Sequence, residues 1–240
     1  MSDLFSRFES FNGNISSWNV SSVTDTSGTF YRATDFNQTL SDWNMASVTS
    51  MKDMFYDAKS FDSDIATWDV SSVTDMSRMF AGTIFNRDVS LWNTSSVTDM
   101  SYMFQNSLFN RDLFRNVSYV TDMEGMFSGA SDFNQDLTFW DVSRVTNMKW
   151  MFQGATAFNQ SLCWVDLHPN VSVNGMFCGS GGSFDRDCVG DKTYYRSNIC
   201  PFTTDELSQV VDEYKNDPVV VEDAYGDIED WDVVNVDVSF

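Results

Sequence analysis

Acidic side chains recur along this chain at a fixed interval, and that spacing is the first feature that could carry chemistry. Asp64, Asp88, Asp112, Asp136 and Asp187 form one column; Asp25, Asp75, Asp99 and Asp122 form a second. Stacked carboxylates repel one another unless something neutralises them. Calcium does so through oxygen ligands, which makes Asp64, Asp88, Asp112 and Asp136 calcium candidates. Arg87 and Arg111 stand beside the first column and offer relief without a metal. No EF-hand loop or glycine-aspartate nonapeptide accompanies the carboxylates, so a solvated acidic face is the default reading.

The sulfur chemistry gathers at one end. Cys163, Cys178, Cys188 and Cys200 all lie in the C-terminal part, without a CxxC pair and with His168 as the one histidine. That pattern argues for two disulfides in an oxidising compartment rather than for zinc. Four cysteines allow three pairings; Cys163 and Cys188 stand one repeat apart, which favours Cys163–Cys188 with Cys178–Cys200. Buried thiols in a cytosolic chain are the alternative.

Asn-x-Ser/Thr acceptors for glycans occur at Asn14, Asn19, Asn37, Asn93, Asn116, Asn159 and Asn170. Asn37 and Asn159 share a column with Asn12, Asn86, Asn110 and Asn134, which reads as a ladder bonding neighbouring coils. Asn19, Asn93 and Asn116 stand in a turn column and are the predicted glycan sites. A chain this rich in Asn and Ser also produces such triplets by chance. The Thr row (Thr24, Thr49, Thr74, Thr98, Thr121, Thr146) admits an ice-binding surface as a remote alternative. Hydrogen-bonded coil spacing explains the row as well.

No phosphate loop, nucleophile elbow or HExxH is present, so the chain reads as a non-enzyme without a cofactor. Carboxylates are abundant enough to keep a hydrolase as another remote alternative.

All these columns belong to one repeated phrase. Phe recurs at Phe11, Phe36, Phe61, Phe85, Phe109, Phe133, Phe158 and Phe184, at spacings of 24 to 26 residues. Each unit adds an aliphatic four positions on, usually a Trp, then a Val-Thr pair, and then Met-x-x-Met-Phe, as in Met148 to Phe152. Such a unit cannot bury its own apolar face; stacked on a copy it places Phe on Phe and Met on Met. Phe133 to Leu137 reads as a short strand. Met148, Met151 and Phe152 stand at i, i+3 and i+4, the spacing of one helical or 3-10 turn. The predicted fold is a leucine-rich-repeat-like solenoid, with an all-β solenoid as the alternative. Adjacent coils about 4.8 Å apart would build a rod about 40 Å long.

The phrase Trp-Asp-Val-Ser-Ser-Val-Thr-Asp-Met-Ser-x-Met-Phe, best seen from Trp68 onward, resembles the BspA-type leucine-rich-repeat surface proteins. The resemblance covers about residues 1–188. It implies secretion or surface display, a role in adhesion and recognition, and no catalytic residues.

The expected organisation is therefore a solenoid over 1–188, a Cys-containing cap over 189–216 with a helix near 204–215, and an acidic tail over 217–240. The helix reading rests on the Thr203-x-x-Glu206 capping box. Met1 to Phe5 matches Met76 to Phe80, so the chain begins within a repeat, and a signal segment is expected upstream. A net charge of −21 argues against nucleic acid and anionic membranes as partners. No apolar run is long enough to span a bilayer. The expected function is an extracellular or cell-surface binding module for protein or glycan. The alternative is a structural subunit of an extracellular assembly, packing end to end or laterally, with its own kind or another joined through the solenoid ends.

Overall fold

The computed structural model describes residues 1–185. One residue in each repeat pairs in parallel with its counterpart one repeat on. Asp25 pairs with Ser50, Ser50 with Asp75, Asp75 with Asp99, Asp99 with Asp122, Asp122 with Asn147, and Asn147 with Ser172. The repeats therefore lie as coils in register. Pairing extends to two residues only between β1 (Ser161–Leu162) and β2 (Ser183–Phe184), with Ser161 opposite Ser183. Elsewhere the expected Phe-Asn-x-Asp-Leu strand is replaced by a side-chain ladder. The backbone N–H of Asn134 donates to Asn110 Oδ1 at 3.1 Å, where a strand would use a backbone carbonyl.

The Met-x-x-Met-Phe segment differs from its helical spacing. Among the described residues there is no helix. Instead, Met54 N–H donates to the Met51 carbonyl, Tyr56 to Asp53 and Ala58 to Phe55, at 3.0 to 3.1 Å. Asp53 and Asp57 take φ values of 56° and 54°. A left-handed residue at the third position of a four-residue turn defines type II, so each coil carries two type II turns in tandem. Every left-handed residue described falls into one of two columns. The first is Asp3, Gly28, Asp53, Arg78, Tyr102, Gly125, Trp150 and Gly175. The second is Arg7, Arg32, Asp57, Gly82, Asn106, Gly129, Gly154 and Gly179.

The physical reason lies in where the backbone donors go. A helix would return each N–H to its own segment. Here alternate N–H groups leave the coil: Met51, Asp53, Phe55 and Asp57 donate to the carbonyls of Asp75, Ser77, Met79 and Ala81 at 2.8 to 3.0 Å. The tandem turns thus join each coil to the next through four backbone hydrogen bonds. A left-handed residue costs about 1–2 kcal/mol, and this inter-coil bonding offsets it. The opposite direction is served by the Thr row. Thr49 N–H and Oγ1 both donate to the Thr24 carbonyl, at 2.8 and 3.1 Å, and Thr74 repeats the pattern on Thr49.

Aromatic rings fill the core between these faces. Phe55 and Phe61 stack within one coil at 3.7 Å between centroids, and Phe55 meets Phe80 of the next coil at 5.8 Å. Offset stacking of this kind adds to the gain from burial. Trp43, Trp68 and Trp92 stand over one another, each buried. Each sends its indole N–H to the carbonyl of the aliphatic residue one coil back: Ile15, Leu40 and Ile65. Where the Trp is missing, Phe114 is fully buried and lies nearly parallel to Trp140 at 6.1 Å. It takes the vacated core volume, and its carbonyl receives the Trp140 indole N–H. The expected boundary at 188, the cap over 189–216 with its helix near 204–215, and the tail over 217–240 lie outside the described residues.

Candidate recognition groove and its polar ladders

The ladder column runs along one edge of the stack. Oδ1 of Asn12, Asn37, Asp62, Asn86, Asn110 and Asn134 each accepts the backbone N–H one coil on, at 3.0 to 3.1 Å. Asx residues suit this role because a short carboxamide or carboxylate oxygen reaches one coil spacing without a flexible stem. The next column locks the ladder from outside. Gln135 Nε2 donates to Asn110 Oδ1 at 2.7 Å, and Arg87 Nε donates to the Asp62 carbonyl at 2.9 Å. Arg87 Nη2 also pairs with Asp62 Oδ2 at 2.6 Å. Arg111 Nε repeats the contact on the Asn86 carbonyl at 3.2 Å.

These side chains, with the first acidic column, line a groove of about 610 Å³ formed by Asp64, Asn86, Arg87, Asp88, Asn110, Arg111, Asp112 and Gln135, with Ala66 at its edge. It is open, polar and built from equivalent positions of successive coils.

Asp64, Asp88 and Asp112 of the calcium candidates lie here, with Asp136 one coil beyond Asp112, and three of the four accept turn hydrogen bonds. Asp64 Oδ1 accepts the Ala66 N–H at 3.0 Å and Asp88 Oδ1 the Ser90 N–H at 2.8 Å. Asp136 Oδ1 accepts both the N–H and the hydroxyl of Thr138. Bonding from Ser90 holds the Asp88 carboxyl below the usual carboxylate range, and bonding from Thr138 does the same for Asp136. Among the described residues no three acidic, His or Cys side chains gather as a metal site. Asp64, Asp88 and Asp136 thus form Asx turns, and Asp112 lines the groove. Asp187 lies outside the described residues.

The second acidic column is the pairing column itself. Asp25, Asp75 and Asp99 accept the N–H of Ser27, Ser77 and Ser101 at 2.8 to 2.9 Å. Asp122 departs from the others: burial raises its carboxyl above the usual range, and the nearby Asp99 and Glu124 add to the rise. Asn147 Nδ2 bridges Asp122 Oδ2 and Glu124 Oε2 at 3.2 and 2.8 Å, and the Tyr102 hydroxyl donates to Glu124 Oε1.

The predicted glycan sites are exposed turn residues. Asn19 and Asn116 Oδ1 accept the N–H and hydroxyl of Ser21 and Ser118, and Asn93 Oδ1 accepts the Ser95 N–H. Asp69 and Asp141 make the same turn with Ser71 and Ser143 in sister coils. Turn chemistry therefore explains the Asn-x-Ser spacing by itself. Asn37 and Asn159 belong to the ladder edge, where Asn37 Oδ1 is an acceptor and Asn159 donates its N–H. His168 Nδ1 accepts the Asn170 N–H at 3.2 Å, which is a turn contact. Cys163 and Cys178 are disulfide-bonded; their pairing with Cys188 and Cys200 lies outside the described residues. No helix among the described residues is long and apolar enough to cross a membrane.

Sequence reasoning missed the two left-handed columns. The signal was present in the glycines: Gly28, Gly125 and Gly175 stand at one repeat position, and Gly82, Gly129, Gly154 and Gly179 at the other. It also missed an edge on which Arg115 lies over the Phe139 ring and Arg144 over the Tyr119 ring.

No curated protein and no solved structure matches the chain. A family model does, over residues 1–115 and again over 83–190, so that the two matches overlap and together cover most of the sequence. The repeat that builds the ladder and the tandem turns is the matched region, and the chain belongs to the family described as "Mycoplasma protein of unknown function, DUF285".

Proposed function

We propose that the chain is a BspA-type, leucine-rich-repeat-like solenoid that works outside the cell as a binding or adhesion module, with protein or glycan as its ligand. The observation that carries this reading is the groove of about 610 Å³ along the Asn ladder. Its lining offers carboxylate acceptors from Asp64, Asp88 and Asp112, and guanidinium donors from Arg87 and Arg111. The donors and acceptors are fixed on backbone that is bonded coil to coil, so little conformational freedom is lost on binding. Repetition across coils suits an extended ligand better than a small substrate. The disulfide-bonded Cys163 and Cys178 support an oxidising compartment.

The test is an array of glycans and extracellular-matrix proteins, probed with the full chain and with Arg87→Gln/Arg111→Gln. Signals that fade in the variant, at unchanged melting temperature, uphold the groove as the contact surface. Signals indifferent to the variant, or an array without any signal, overturn it.

A further inference from the structure

The edge that carries the Trp-Asp-Val-Ser turns is small and polar along most of the stack. The position before Trp is Ser17, Asp42 and Thr67 in three coils, with an exposed Leu91 in the next, and the residue before the Val-Thr pair is Ser22, Ser47, Ser72 and Ser96. Between two adjacent coils it changes character. The Arg115 guanidinium carbon lies 5.3 Å from the centre of the Phe139 ring, and that of Arg144 lies 4.7 Å from the centre of the Tyr119 ring. Arg115 and Tyr119 belong to one coil, Phe139 and Arg144 to the next, so the two pairs cross the same inter-coil seam in opposite senses. Phe139 and Tyr119 remain 43% and 52% exposed, too open for a core role.

Among the described residues neither guanidinium forms an ion pair. The pairs found among the described residues are Arg32–Asp57, Arg78–Asp53 and Arg87–Asp62. Both arginines are laid on aromatic faces, and Arg144 also stands near enough to Asp141 to help hold that carboxyl below the usual range. A guanidinium flat on a ring keeps its in-plane N–H fork open for a carboxylate. Beside Phe139 the surface sinks into a hollow of about 260 Å³, whose polar lining is Thr138, Asp141, Ser143 and Asp166.

We propose that this edge binds a saccharide that carries carboxylates, of the uronic-acid kind. The guanidinium forks take the carboxylates, and the exposed Phe139 ring takes an apolar C–H face of a sugar. Asp141 and Asp166 accept from its hydroxyls. An acidic peptide fits less well, because it brings few hydroxyl donors for Asp141 and Asp166. The chain's overall negative charge acts weakly at contact range, since charges more than about 8 Å apart are largely screened at physiological salt. The proposal rests on the reading of the chain as a recognition module, but it uses an edge separate from the groove.

The experiment is calorimetric titration of the full chain with a tetrasaccharide of alternating glucuronate and N-acetylglucosamine. The same tetrasaccharide with its carboxyls reduced to alcohols, and a glutamate-rich peptide, serve as comparisons. The acidic sugar is expected to bind about tenfold or more tighter than either, a difference of about 1.4 kcal/mol. Arg115→Gln/Arg144→Gln should abolish the difference, and Phe139→Ala should weaken both sugars alike. If the Gln variant does not fold, Arg115→Lys/Arg144→Lys replaces it. A several-fold loss of discrimination then supports the proposal, because Lys lacks the planar fork. Equal binding of the reduced sugar, equal binding of the peptide, no binding of the acidic sugar, or discrimination that survives the arginine variants overturns it. Array signals that still depend on Arg87 and Arg111 in that case leave the groove reading standing and remove only this edge.

Discussion

The ring of Tyr102 lies across the α-carbon of Gly125 one coil on, so close that a Cβ added there would sit 2.3 Å from a ring atom. Both residues are left-handed, at φ 56° and 55°. The glycine serves two needs at once: the backbone conformation and the space for its neighbour's side chain. Trp150 and Gly175 repeat the arrangement.

Substitution can separate those needs. Gly154 is also left-handed, at φ 68°, but a Cβ there meets nothing nearer than backbone at 3.8 Å. Gly154→Ala should cost about 1–2 kcal/mol, the price of the conformation alone. Gly125→Ala should cost clearly more, and Tyr102→Ala in that background should return the excess. Denaturant melts of the three variants check this; equal losses at the two glycines would contradict it.

At two places in the left-handed columns, Asp53–Arg78 and Arg32–Asp57, charge pairing takes the glycine's place. Arg78 Nη2 donates to Asp53 Oδ2 at 2.9 Å, and its Nε lies 2.8 Å from Asp53 Oδ1. The Asp53 side chain is only 16% exposed, so removing its partner leaves a poorly hydrated carboxylate. Arg78→Ala is expected to cost about 1–3 kcal/mol. The double change Asp53→Gly/Arg78→Gly should cost less than that, since it also relieves two left-handed side chains. A double change costlier than the single one would show that the pair is not what stabilises this seam.

The ladder predicts which amides depend on a side chain. Asn110 Oδ1 accepts from the Asn134 N–H and from Gln135 Nε2. Asn110→Ala should cost about 1–3 kcal/mol and speed hydrogen exchange at the Asn134 amide. Asn110→Asp should be nearly neutral, because Asp62 fills the same role two coils earlier, accepting from Asn86 at 3.0 Å. Exchange at Asn134 that is unchanged in the alanine variant would count against the ladder.

The aspartate turns fix the sign of the pH response. Hydrogen bonds from Ser27, Ser71, Ser90, Thr138 and Ser143 lower the carboxyls of Asp25, Asp69, Asp88, Asp136 and Asp141 respectively. A depressed folded-state value gives stability that is fully present above the unfolded carboxylate value of about 3.9, and that is lost as pH falls through the folded value. Acidification below about pH 4 should therefore lower the melting temperature. Asp→Asn at these turns keeps the acceptor oxygen and should blunt the fall. Asp122 has the opposite sign: its raised value means that ionisation works against folding, so its contribution is lost as pH rises through that value. Asp122→Asn should hold or raise the neutral-pH melting temperature, and a marked drop there would refute the assignment.

The amino-acid sequence by itself determined the repeat length, the register and the core columns. Phe, Trp and Met recur at fixed places, and apolar side chains that cannot be buried within one coil must be buried between two. It also marked the Asn column as a ladder and the Thr row as a spacing device, because these side chains can reach the backbone of an adjacent coil. Tertiary structure alone decided the backbone of Met-x-x-Met-Phe. Apolar residues at i, i+3 and i+4 fit a helical turn and a tandem of type II turns equally well. The choice falls to the turns because the neighbouring coil supplies carbonyls for Met51, Asp53, Phe55 and Asp57 that no local segment could offer. It decided the Arg115–Phe139 and Arg144–Tyr119 seam in the same way, since each contact joins residues a full coil apart in the chain.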